Sequence, residues 1–181
     1  MKIGHCQLQS SESFDTNLEK FHHGLEWASR EGVEIVSFPE CFLNGYYDKE
    51  APVRKTAFSV DSPQMRKVLE TAGDFASTVI VGFNEQRGGE LYNTALVAER
   101  GRPLGYFSKV FAYQKFHRRG LELPVFERRG LKFGVVICAD GGYVEPTRIL
   151  ALKGARVIFA PHANYMGADK LIDHFQHVHS D

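Results

Sequence analysis

Leu131-Lys132-Phe133-Gly134-Val135-Val136-Ile137 is an apolar run that ends on Cys138 and enters the tight Ala139-Asp140-Gly141-Gly142. Glu145 to Gly154 follows with a helical pattern, Pro146 near its first turn and Gly154 at its end. A second apolar run, Ala155-Arg156-Val157-Ile158-Phe159-Ala160-Pro161, comes at once. Strand, sharp turn, helix, strand is the arrangement that holds a nucleophile at the end of a buried sheet. The turn exposes the side chain and leaves backbone N–H groups free for a developing oxyanion. Asp140 is placed to accept backbone hydrogen bonds in that turn. Glu145 and Arg148, three apart at the helix start, are expected to pair and support it.

Working outward, two further strand ends supply partners for a thiol. Val33-Glu34-Ile35-Val36-Ser37-Phe38 reads as a buried strand running into Pro39-Glu40-Cys41. Arg102-Pro103-Leu104-Gly105-Tyr106-Phe107-Ser108 runs extended and ends on Lys109. A thiol, a carboxylate and an ammonium at three strand ends make an acyl-transfer site: Cys138 attacks, Glu40 takes its proton, and Lys109 stabilises the tetrahedral species. Taken singly, each has a plainer explanation. A buried Cys is usually a small core hydrophobe, Glu40 could cap a turn, and most lysines are solvated. The ordered set is what favours chemistry. Cys41 is an alternative thiol, but it lacks the strand–turn–helix setting and is read as structural.

These segments resemble the nitrilase superfamily, the carbon–nitrogen hydrolases, along nearly the whole chain. Gln7 or Gln9 matches a first-strand Gln, and Asn17 in the first helix is similar to the family pattern. Phe38-Pro39-Glu40 with Leu43-Asn44-Gly45-Tyr46 resembles the glutamate motif. Leu91-Tyr92-Asn93-Thr94-Ala95 and Gly105 to Lys109 resemble the lysine segment. Ile137-Cys138-Ala139-Asp140, with Glu145, Arg148, Gly154-Ala155 and Ala160-Pro161, resembles the cysteine motif. The resemblance implies an amidase-type enzyme. It would cleave an amide or carbamoyl amide of a small molecule through a cysteine thioester, with Glu40, Lys109 and Cys138 catalytic. Tyr46, Tyr113, Ala139 and His162 are the expected substrate-binding residues, and Tyr47, Phe111 and Tyr143 lie beside motif positions. Arg118 or Arg119 could meet an acidic substrate, although adjacent arginines are usually a solvated loop. No cofactor is implied, because the chemistry uses side chains alone.

Two features depart from the family pattern. The family carries a second glutamate between lysine and cysteine, but Val110 to Gly120 contains no carboxylate, and Tyr113 or Gln114 stands near that place. Glu122 comes only after the Gly turn. The chain also stops at Asp181, where the family continues, so an incomplete domain over 1–181 is expected. Missing strands and helices would leave apolar surface and sheet edges to be covered, so a homo-oligomer is expected. The alternative that these departures support is a catalytically impaired nitrilase-fold interaction domain. A thiol protease pairing Cys138 with His162 would leave Glu40 and Lys109 unexplained.

Composition sets the outer bounds. The 181 residues suit one domain, and a hydrophobic fraction of 43% supports a core. Twenty-two basic and twenty-two acidic side chains cancel, which argues against nucleic acid or an anionic membrane as partner. Three scattered Cys argue against a disulfide framework and for a reducing compartment, read as the cytoplasm. His174, His177 and His179 with Asp173 allow a metal reading. Histidines in a chain tail are more often solvated, and no metal is expected.

The periodicity predicts a strand at Lys2–Gln9 and a helix at Asp15–Glu31 with Asp15 as cap and Leu18, Phe21, Leu25 and Ala28 inward. It predicts a loop with a basic segment around Arg54 and Lys55. A helix from Ser62 to Ala76 follows, with Ser62 capping and Pro63 first. Strands are predicted at Thr78–Glu85, Tyr92–Glu99 and Leu104–Ser108, turning at Arg87-Gly88-Gly89-Glu90 and Arg100-Gly101-Arg102-Pro103. This α/β alternation means mixed sheets with helices outside. The resemblance implies a four-layer α-β-β-α sandwich.

Overall fold

The computed structural model describes residues 1–163. Two sheets form. The first holds five strands in the order β1 (Ile3–His5), β2 (Ile35–Ser37), β3 (Thr78–Arg87), β4 (Glu90–Glu99), β5 (Arg102–Ser108). β1, β2 and β3 run parallel, and β3, β4 and β5 antiparallel. The second sheet pairs β6 (Val125–Arg128) with β7 (Leu131–Val135) antiparallel, and β7 with β8 (Val157–Phe159) parallel.

Alternation along the strands builds the layers, because successive side chains point to opposite faces. Ile35, Ile80, Ala95, Val97 and Phe107 leave one face of the first sheet and pack on Phe126, Phe133, Val135 and Phe159 of the second. Their neighbours Val36, Val79, Val81, Leu96 and Ala98 leave the other face and meet two helices. These are α1 (Phe14–Arg30), through Phe21, Leu25 and Ala28, and α3 (Pro63–Gly73), through Met65, Val68 and Ala72. On the far side α4 (Val144–Leu152) lays Leu150 on β7 where Gly134 has no side chain. The result is the four-layer α-β-β-α sandwich. Arg128, buried on the second sheet, clamps the two together. It donates to Thr78 Oγ1 at 2.8 Å and to Ala76 O at 2.9 Å, and pairs with Glu99.

Several local expectations are corrected. The first strand is only Ile3–His5, and α1 is capped by Ser13, whose side chain accepts from Thr16 N, with Asp15 inside the first turn. The segment around Arg54 and Lys55 is a helix, α2 (Glu50–Thr56), with Arg54 Nε on Glu50 Oε1 at 2.7 Å. Pro52 fits because the first turn of a helix needs no backbone donor there. Ser62 caps α3 with Pro63 at its start, as expected. Glu145 and Arg148 are both exposed, and no ion pair joins them among the described residues.

One glycine positions the site. After β2 the chain stays bonded to β3, through Phe38 N to Ile80 O at 2.8 Å and Leu43 N to Gly82 O at 3.0 Å. Between those bonds it bulges at Glu40 and Cys41, directly over Gly82. A Cβ on Gly82 would lie 2.6 Å from Cys41 N and 2.6 Å from Pro39 O, and 2.9 Å from Glu40 Cα. Those atoms are backbone and cannot step aside cheaply. Gly82→Ala is therefore expected to destabilise the fold by about 1–3 kcal/mol in urea unfolding, and to shift the bulge that carries Glu40.

Candidate active site

Three strand ends converge. Glu40 follows β2, Lys109 follows β5 directly, and Cys138 lies just beyond β7, so the thiol comes from one sheet and the charged pair from the other. Lys109 N donates to Asn93 O at 2.8 Å, which extends the β4–β5 pairing by one step and turns the lysine inward. Cys138 opens a 3-10 turn over Cys138–Gly142 and has φ of +47°, a left-handed conformation that non-glycine residues seldom adopt. Cys41, beside Glu40, is left-handed as well, with φ of +51°. Strain of this kind at two adjoining positions persists only where the surroundings impose it.

Asp140 is what imposes it at Cys138. Its fully buried carboxylate accepts from Ile137 N at 3.0 Å on one side, and from Val110 N at 3.1 Å and Phe111 N at 2.7 Å on the other. The expected acceptor role is present, and its reach is wider than the turn: it ties the cysteine turn to the segment after Lys109. Burial pushes the Asp140 carboxyl up, opposed by those same N–H groups. Asp140→Ala would take the acceptor from three N–H groups, that of buried Ile137 and those of half-buried Val110 and Phe111. We expect a loss of at least about 3 kcal/mol in denaturant titration, with Asp140→Asn retaining part of the stability.

The polar centre is Glu40, which is 2% exposed. Its Oε1 accepts from Lys109 Nζ at 2.7 Å and from Asn93 Nδ2 at 2.7 Å, and its Oε2 accepts from Ala163 N at 3.0 Å. The Cys138 thiol lies within the field of the same carboxylate, which raises it. Burial pulls the Lys109 ammonium down, but Glu40 and Cys138 outweigh it and hold the group above its usual value. Burial first, and Glu40 next, push the Cys138 thiol up to about 11, with Lys109 opposing. A thiol raised that far rests protonated near pH 7. After it, Ala139 N lies in the first turn of the 3-10 helix, where N–H groups have no intrahelical acceptor.

The other expected residues fall as follows. Tyr46 is half-buried, and its phenol is raised by burial first and then by Glu40 and Cys138, so it borders the thiol. Ala139 and His162 are half-buried, beside Cys138 and Ala163 in the chain. Tyr113 is 74% exposed, whereas its neighbour Gln114 is 7% exposed. Phe111 and Tyr143 stack on each other at 3.8 Å between centroids. Arg118 lies on the surface with Glu90 Oε1 at 2.9 Å. Cys41 is buried, and burial and then Glu40 push its thiol well up. Among the described residues no group of His, Cys, Asp or Glu could hold a metal. Asp173, His174, His177 and His179 lie outside the described residues. No helix among the described residues is long and apolar enough to cross a membrane. A cavity of about 400 Å3 opens elsewhere, beside His5, Cys6 and Trp27, and includes none of the three converging groups.

Sequence reasoning assigned no role to several polar residues that support this centre. Asn93 grips Glu40 from inside β4. Asn17 Nδ2 donates to Leu43 O at 3.2 Å and holds the loop after Glu40. Asn84 Nδ2 donates to Gly45 O at 2.7 Å, so its Oδ1 is left to accept from His117 Nε2 at 3.1 Å. Burial first, and Lys109 next, lower His117 to about 4, so it is neutral near pH 7. The available signal was a polar residue at an inward position of an apolar strand, as at Asn84 and Asn93.

With the geometry in place, three comparisons bear on it. A family model described as carbon-nitrogen hydrolase matches residues 2–178. A nitrilase of Pyrococcus abyssi is 31% identical over 153 residues, covering 81% of this chain and 58% of the nitrilase. An omega-amidase of Bos taurus is 28% identical, covering 90% of this chain and 63% of the amidase. A carbon-nitrogen hydrolase structure from Helicobacter pylori G27 superposes with a TM-score of 0.87 at 22% identity, over 99% of this chain and 67% of that one. The chain therefore spans somewhat more than half the length of these two curated relatives.

Proposed function

Because the chain belongs to the carbon-nitrogen hydrolase family, we propose that it hydrolyses a non-peptide carbon–nitrogen bond of a small amide or carbamoyl amide through a thioester on Cys138. The observation that carries this reading is one buried carboxylate, Glu40, that bonds an ammonium at 2.7 Å and whose charge acts on the Cys138 thiol. Glu40 takes the thiol proton as sulfur attacks the carbonyl carbon. Lys109 Nζ and Ala139 N face the oxygen that becomes negative. The tetrahedral species collapses as Glu40 passes the proton to the departing nitrogen, which leaves as ammonia or an amine. Water then adds to the thioester, gives its proton to Glu40, and the acid is released with the thiol restored. General-base assistance suits a thiol raised to about 11, since little thiolate exists beforehand.

The reading includes a reducing, cytoplasmic setting, supported by Cys6, Cys41 and Cys138, none of which is in a disulfide. It also includes a homo-oligomer, supported by Val144 and Leu152, which are 69% and 79% exposed on α4. Light scattering that gives a stable monomer would remove the oligomer from it. The function itself is tested by ammonia release across primary amides, carbamoyl amides and nitriles. Release is expected from amides ahead of nitriles, and release from none of them would contradict the proposal.

A further inference from the structure

Gln114 is more than nine-tenths buried, yet neither Oε1 nor Nε2 has a hydrogen-bond partner of good geometry among the described residues. A folded chain seldom leaves a carboxamide in that state, because the lost hydration is not repaid. The side chain stands by the Tyr46 hydroxyl, and Tyr46 in turn lies within the fields of Glu40 and Cys138. A second buried acceptor without a partner is held against the charged pair: Asn93 Oδ1 is unbonded while Asn93 Nδ2 holds Glu40. This segment offers no anion. Gln114 is uncharged, His117 three residues on is neutral, and Val110 to Gly120 contains no carboxylate.

We infer that Gln114 is a specificity-determining residue that accepts a hydrogen bond, through Oε1, from the NH2 end of a neutral carboxamide or carbamoyl group reaching Cys138. This rests on the amidase reading above and names which end of the substrate that reading leaves unassigned. An uncharged acceptor matches an uncharged NH2. It offers no counter-ion to a cationic amine, so neutral primary amides are preferred over substrates with an ammonium at that end.

The test uses two small alkylating agents on the whole chain, with peptide mapping at Cys138. Iodoacetamide carries a primary amide, and iodoacetonitrile does not. The ratio of their rates at Cys138 is expected to fall about tenfold in Gln114→Leu, at roughly one lost hydrogen bond, with iodoacetonitrile little affected. Gln114→Glu keeps an oxygen acceptor and should restore most of the ratio. An unchanged ratio in Gln114→Leu, equal slowing with both reagents, or Gln114→Glu behaving like Gln114→Leu would each overturn the assignment. If wild-type Cys138 is not labelled ahead of Cys6 and Cys41, the amidase reading falls first; selective labelling with an unchanged ratio sinks Gln114 alone.

Discussion

Cys138→Ala is expected to reduce amide hydrolysis by about 10^4-fold or more, to background. The substitution removes the attacking atom and little else. Asp140 still bonds Ile137, Val110 and Phe111, so the turn keeps its shape, and Glu40 keeps Lys109 and Asn93. Alanine in a left-handed conformation is as strained as cysteine, so the backbone cost is already present in the parent. Loss of activity with unchanged unfolding is the expected pair of results. Because the three groups act as one unit, adding Lys109→Ala to Cys138→Ala should cost little more. Turnover that survives Cys138→Ala would exclude the thioester route.

Glu40→Gln should move two observables in opposite directions. Turnover is expected to fall by about 10^2–10^4-fold, the usual worth of a positioned general base. Alkylation of Cys138 near pH 7.5 should instead become faster. Burial raises the thiol first and the Glu40 charge next, with Lys109 opposing. Removing the carboxylate charge leaves burial against the ammonium and the Ala163 backbone N–H, so the pKa falls from about 11 and the thiolate fraction at fixed pH grows. One unit of fall is about tenfold in thiolate. A merely structural Glu40 would lower both rates together. Parent and variant should also differ in pH profile, with parent alkylation still climbing above pH 9 and the variant levelling off earlier.

The catalytic candidates were legible because each ends an apolar run: Phe38-Pro39-Glu40, Phe107-Ser108-Lys109 and Ile137-Cys138 announce strand ends by composition alone. The helical repeat of Phe21, Leu25 and Ala28, and Ser62-Pro63 as a start signal, were equally plain. What escaped depends on contacts far apart in sequence. Asn93 reaches Glu40 across 53 positions and Asp140 reaches Phe111 across 29, and no local pattern records either. The choice between Tyr113 and Gln114 near the absent carboxylate could not be made from a loop without periodicity; burial separates them. α2 was read as a loop because it is short, carries Pro52, and rests on one buried side chain, Val53. The thiol's protonation was beyond sequence as well, since it balances burial and Glu40 against Lys109.

The most direct measurement is intact-mass spectrometry with peptide mapping after rapid acid quench of the protein mixed with short primary amides. The account requires a mass increase equal to the acyl group, located on the peptide containing Cys138, absent in Cys138→Ala and decaying as ammonia and acid appear. Ammonia release with no adduct on Cys138 at any quench time, together with retained activity in Cys138→Ala, would contradict it.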